Sequence, residues 1–165
     1  MTPAARVAAA ADILDAILDG TAAEQALTGW ARRSRFAGSK DRAAIRDHVF
    51  DALRCKLSFA ALGGAMTGRG LMLGQIRAAG DEPAVLFSGE GYGAAVLTDE
   101  ELAAGSLPHS DAECLNLPDW LVPLFRASLG EEADAAAKLL TKRAPDGSGE
   151  PARGGCCAGD SVSGR

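Results

Sequence analysis

The sequence predicts an all-α protein, a compact helical bundle followed by a tail that lies outside it. Three observations carry this prediction. Ala is abundant and only 5% of the residues are aromatic, a composition that favours helices packed through small side chains over sheets built on Val, Ile and Tyr. Apolar residues recur at three- and four-residue spacing in successive stretches, the period of a helix with one buried face. Helix-starting and helix-stopping residues punctuate those stretches. A chain of 165 residues with 47% hydrophobic content and 24% charge has the size and composition of one globular domain able to bury a core.

The first helix opens near Pro3, carries Val7, Ala10, Ala11, Leu14, Ile17 and Leu18 at helical spacing, and leaves through Gly20 in the left-handed conformation that glycine tolerates. Its three aspartates, Asp12, Asp15 and Asp19, interrupt the apolar run, so it reads as a folded helix of a cytoplasmic protein and not as a signal peptide. Thr21-Ala22-Ala23-Glu24 has the spacing of a capping box, in which hydroxyl and carboxylate satisfy free amides at the start of a second helix. That helix holds Leu27, Trp30 and Ala31 and ends near Arg33. After a link from Ser34 to Gly38, Ser39 is the expected N-cap of a long third helix from about Lys40 to about Leu57, since its hydroxyl can accept from the first amides. On a wheel of about 100° per residue, Ile45, Val49, Ala52, Leu53 and Leu57 share one side.

The helical pattern continues through Phe59 to Leu62 and breaks at Gly63-Gly64. Thr67 caps a short helix holding Leu71, Met72 and Ile76, which Gly80 ends. Pro83 starts a brief turn of helix with Val85, Leu86 and Phe87, and Ser88 to Ala95 is a glycine-rich connection. Thr98-Asp99-Glu100-Glu101 repeats the capping-box pattern and predicts another short helix. Gly105 to Asn116 reads as loop. Leu117-Pro118-Asp119-Trp120-Leu121 opens a further helix, with Pro118 in its first turn and Trp120, Leu121, Leu124 and Phe125 as its apolar stripe. Gly130 closes it, and Glu131 to Arg143 forms the last helix, acidic at its start and basic at its end as the macrodipole favours. Three units follow: a helical domain over 1–115, a helical linker over 116–145, and a tail over 146–165 whose repeated glycines and lack of periodicity predict disorder.

The functional signal is electrostatic. From Arg32 to Leu57 the chain holds eight cations, Arg32, Arg33, Arg35, Lys40, Arg42, Arg46, Arg54 and Lys56, against Asp41, Asp47 and Asp51. Eight less three leaves +5 in a chain whose net charge is −5. A basic segment in an acidic chain can draw a polyanion to one surface while the remainder repels it. Arg32, Arg33 and Arg35, at a helix end and on a loop, and Lys40 beside them are the expected phosphate contacts. Arg42, Arg46, Arg54 and Lys56 complete the candidate set. Arg42 and Arg46 share the apolar side of the wheel, where an ion pair bracing an acidic neighbour competes with ligand contact. Arg54 lies across the helix with Asp47 and Asp51, and a merely solvated charge run is the competing account of the whole segment.

Other motifs carry little chemistry. Gly68-Arg69-Gly70-Leu71-Met72-Leu73-Gly74 misses the dinucleotide-binding spacing by one residue and follows no strand pattern. Gly89-Glu90-Gly91-Tyr92-Gly93 departs from a kinase glycine loop, and no HRD or DFG occurs. Both read as turns. Cys55, Cys114, Cys156 and Cys157 form no CxxC pair and have no His at ligand spacing, so neither a zinc site nor a disulfide framework is predicted. Cys55 reads as a buried side chain, Cys156 and Cys157 as exposed thiols of the tail, His48 and His109 as packed or solvated, and Trp30 and Trp120 as core anchors, with stacking on an unpaired base as their alternative. No apolar run approaches the roughly 18 residues of a membrane span. The chain reads as a binding domain.

Two stretches, RRSRFAGSKDRAAIRDHVFDALR from Arg32 to Arg54 and LPDWLVPLFRASLGEEADAAAKLLTKRAP from Leu117 to Pro145, resemble the front part of the Sun/Fmu family of ribosomal RNA cytosine-5 methyltransferases. The resemblance covers most of residues 1–145. It implies a NusB-like helical RNA-binding domain over 1–115, and a linker over 116–145 leading to a domain that binds S-adenosylmethionine and attacks cytosine with cysteine. The chain departs from the family at Pro145: the extended LRVN-type segment, the glycine-rich cofactor loop and the Pro-Cys and Thr-Cys contexts are missing, and Cys156-Cys157 match neither context. No catalytic or cofactor role is therefore carried over, and the chain alone is expected to be inactive in methyl transfer. Residues 146–165 are expected to replace the family's continuation through a frame change or truncated gene. The implied partner is RNA, ribosomal in kind. The alternative is a NusB-type protein-interaction module, touching an acidic partner or a methyltransferase domain, or a non-functional fragment.

Overall fold

Thr2 and Pro3 start the first helix as their chemistry predicts. The Thr2 hydroxyl accepts from the Ala5 amide, and α1 runs Pro3–Leu18. The computed structural model describes residues 1–143, and among them every regular element is helical. Val7, Ala10, Ala11 and Leu14 are buried as the spacing requires, and Ile13 with them. Gly20, at φ 104°, donates to the Ile17 carbonyl while Thr21 donates to that of Ala16, the paired bonds of a Schellman exit. This arrangement displaces the capping box expected at Thr21. The amide of Thr21 is engaged in leaving α1, so its hydroxyl stands one residue ahead of the cap, and α2 (Ala23–Arg33) starts from Ala22 without a side-chain cap.

The third helix, α3 (Ser39–Arg54), is capped by Gly38, one residue before the expected Ser39. Asp41 reaches back to the Gly38 amide at 3.3 Å. The helix stops at Cys55 and α4 (Lys56–Gly63) begins anew, where the periodicity predicted an unbroken run to Leu57. A continuous helix would pair the Ser58 amide with the Arg54 carbonyl. That amide instead donates to the Asn116 side chain at 3.0 Å.

The glycine cluster read as a turn forms the first two turns of α5 (Gly68–Ala79), capped by the Thr67 hydroxyl. These glycines are there for space. A Cβ on Gly68 would lie 2.0 Å from the Ala11 carbonyl oxygen, and one on Gly74 would lie 1.9 Å from that of Phe59. The backbone of α5 therefore rests directly on α1 and α4, and the core of Val7, Leu14, Ile45, Val49, Phe59, Leu71, Met72 and Phe87 closes around that contact. Beyond it come α6 (Pro83–Leu86), the turns at Gly89 and Gly91, and α7 (Asp99–Ala103) with the predicted Thr98 and Glu101 capping box. Two arginines of α5 hold this excursion. Arg69 pairs with Glu101 at 2.5 Å, donates to the Ala95 and Val96 carbonyls and stacks on Phe87. Arg77 donates to the carbonyls of Leu62, Glu101, Leu102 and Ala104 at 2.6–3.2 Å.

Within the segment read as loop, Ser110 and Glu113 form a capping box of the same kind and start α8 (Asp111–Leu115). The helix expected to open at Leu117–Leu121 begins later, at a second proline. Residues 118–121 form a turn closed by the Leu121 amide on the Pro118 carbonyl, α9 runs Val122–Leu129, and Pro123 occupies its first turn. A 3-10 turn at Gly130–Glu132 leads into α10 (Ala133–Leu140). Ala112, Leu115, Val122 and Ala137 make a second, small core against Leu57, Leu117 and Phe125. Trp120 does not join it. Because the helix starts at Val122, two residues past Trp120, that side chain sits in the preceding turn and is 69% exposed, whereas Trp30 packs half-buried against the main core. Cys55 is buried as expected. The predictions for residues 146–165, including Cys156 and Cys157, lie outside the described residues. No helix among the described residues is long and apolar enough to cross a membrane.

Candidate nucleic-acid interface

The end of α2, the five-residue link and the first turns of α3 form one basic corner. The link is tightly held: the Ser34 amide donates to the Trp30 carbonyl, the Ala37 amide to that of Ser34, and Arg42 Nε to that of Ala37 at 3.0 Å. Ser34 and Ala37 are buried, so the residues between them, Arg35 and Phe36, face water. Arg42 thus braces the link through a carbonyl, where an acidic helix was the partner considered from sequence. Among the described residues, Arg46 meets only Asp47 of its own helix, at 3.8 Å. Both guanidiniums line a groove of about 350 Å³ between α2 and α3, walled by Leu27, Trp30, Ala31 and Ala43, with Glu24 as its one carboxylate.

Each acid of the segment makes its shortest ion pair with a cation outside this corner. Asp41 accepts from Arg6 at 2.9 Å and from the Met1 amine at 3.2 Å. Burial alone would raise its pKa, but the bonds from Arg6 and the amine outweigh this and hold the carboxyl below its ordinary value. Asp51 pairs with Arg54, and Asp47 with Arg143 at 2.9 Å. Among the described residues, Arg32, Arg33, Arg35, Lys40, Arg42 and Lys56 have no carboxylate within 4.0 Å. All six are exposed.

Position divides the eight candidates. Arg32 follows Thr28 of the groove by four residues, so it stands one turn along the same flank of α2. Arg33 lies beside Gly29, Arg35 is in the link, and Lys40 adjoins Ser39 at the groove's α3 edge. With Arg42 and Arg46 these make six cations around one corner. Arg54 is about 22 Å further along the axis of α3, half-buried against Asp51, and Lys56 follows it in α4. Those two do not belong to the corner.

Phe36 escaped the sequence reading. It is 74% exposed, in the middle of the basic link. Its signal was there to be used: a large apolar residue among Arg, Ser, Gly and Lys with no partner at helical spacing to bury it. The histidines are occupied elsewhere, His48 with Gln75 at 3.2 Å and His109 with Glu113 at 3.2 Å. What the corner can do chemically is bind anions and stack. Compared with known proteins, the chain matches no family model, no curated protein and no solved structure.

Proposed function

We propose that this chain is an RNA-binding module whose α2–α3 corner contacts the phosphate backbone. One observation carries the reading: six exposed guanidinium and ammonium groups gather at this corner, and among the described residues five of them, all but Arg46, have no carboxylate within 4.0 Å. Uncompensated cations of this kind attract a polyanion and release its counterions on binding, a sequence-independent attraction. The resemblance of Arg32–Arg54 and Leu117–Pro145 to the Sun/Fmu proteins supports ribosomal RNA as the ligand and a place ahead of a methyltransferase domain. Filter binding of ribosomal RNA to the chain with Arg32, Arg33 and Arg35 all changed to Ala tests the reading. Affinity falls and helicity stays, because all three side chains are exposed and none holds the core. Unchanged affinity removes the corner from the account.

A second reading, a protein-interaction module, is favoured by a different observation. Trp120 in the turn before α9, Leu124 of α9, and Leu139 and Leu140 of α10 are exposed large apolar side chains, of the type that anchors protein interfaces. Binding to a protein partner, with no salt-sensitive RNA binding, would select it.

A further inference from the structure

We propose that Phe36 is a stacking platform for an unpaired base, so that the α2–α3 corner takes single-stranded RNA in preference to duplex. This rests on the RNA-binding reading and sharpens it. The ring is 74% exposed although burial is the ordinary fate of Phe, and it stands apart from the other exposed apolar residues by its setting. Arg33 and Arg35 precede it and Lys40 follows, none paired with a carboxylate among the described residues. The link that carries it is fixed from both sides: Ser34 is held on Trp30, and the Ala37 carbonyl is held by Arg42. A ring presented by a pre-organised turn loses little freedom on binding, which raises its value as a contact.

The chemistry selects the ligand. Cations flanking an aromatic face match a nucleotide, whose phosphate is anionic and whose base is a flat π-surface. A base inside an A-form duplex is already stacked on both sides, and the duplex offers side chains mainly backbone and 2′-hydroxyl contacts. An exposed Phe therefore adds nothing to duplex binding and contributes to single-strand binding. Because stacking carries no charge, its loss leaves the salt dependence intact.

The test uses the full chain, a fluorescent uridine oligomer and an RNA hairpin stem of similar charge, titrated by anisotropy. Wild type binds the oligomer more tightly than the stem. Phe36→Ala weakens oligomer binding by about 5- to 150-fold, leaves stem binding and the salt slope unchanged, and Phe36→Tyr restores the oligomer affinity. If wild type binds with salt dependence but Phe36→Ala leaves the oligomer curve in place, the stacking role is overturned and the RNA-binding reading survives. That result is also the one expected if the ring serves a protein partner. If wild type binds neither RNA, the reading and this inference fall together.

Discussion

Gly74 and Gly29 are both helical glycines, and the same substitution should move the protein in opposite directions at the two sites. In an open helix interior Ala is favoured over Gly by about 1 kcal/mol, because glycine loses more backbone freedom on folding. Gly29 comes close to that case: its Cβ would meet only Arg33 Nη1, the far end of a flexible side chain, at an ordinary 3.4 Å. At Gly74 the new methyl would lie 1.9 Å from the Phe59 carbonyl oxygen and 2.8 Å from its Cα. Restoring a 3.4 Å contact to that oxygen requires a separation of 3.4 − 1.9 = 1.5 Å, and no rotamer can supply it because both partners are backbone. Overpacking costs about 1–3 kcal/mol, and a backbone clash that prises α4 from α5 belongs at the upper end. Subtracting the helix-propensity gain leaves about 2 kcal/mol of destabilisation for Gly74→Ala, against a gain of about 0.5–1 kcal/mol for Gly29→Ala. At roughly 4 °C per kcal/mol, thermal melts followed by far-UV circular dichroism should fall by about 8 °C and rise by about 2–4 °C. A Gly74→Ala melt at or above wild type would refute the claim that α5 packs backbone to backbone.

Two further predictions concern the arginines of α5. Arg77→Ala leaves the carbonyls of Leu62, Glu101, Leu102 and Ala104 without their donor and should cost about 2–4 kcal/mol, read as a lower urea midpoint. A loss below about 0.5 kcal/mol would show that water replaces the guanidinium without penalty. Glu101 is held at a pKa of about 2, chiefly by the hydrogen bond from Arg69, against an ordinary 4.5. A carboxyl depressed on folding contributes stability that is present above its unfolded value and is lost as pH falls toward the folded one. Stability should therefore decline between about pH 4.5 and 2, and Arg69→Met should flatten that part of the decline. An identical acid profile in the variant would contradict it.

How much of this was legible depends on what each signal encodes. Val7, Leu14, Ile45 and Val49 announced the core because burial on one face of a helix imposes a period that the sequence carries locally. Gly68, Gly70 and Gly74 misled for a physical reason: glycine permits both a turn and a close helix contact, and only the neighbouring backbones of Ala11, Ala65 and Phe59 decide between them. The break at Cys55 was hidden because its cause, the Asn116 side chain, lies 58 residues from the amide it takes. Ser110 and Glu113, by contrast, carried the same pattern as Thr98 and Glu101 and could have been read. At the candidate interface, the excess of cations was visible in the order of residues. Which cations remain uncompensated was not, since Asp41 finds Arg6 and Asp47 finds Arg143 only through the fold.

The central claim is that uncompensated cations at the α2–α3 corner bind the phosphates of RNA. It is tested most directly by the slope of log affinity against log salt for the chain and a single-stranded RNA. Four contacts from Arg32, Arg33, Arg35 and Lys40, at about 0.7 per phosphate on a single strand, predict a slope near −3, falling toward −1 when the three arginines become Ala. A slope near zero in the wild-type chain, or one that the triple substitution leaves unchanged, would contradict it.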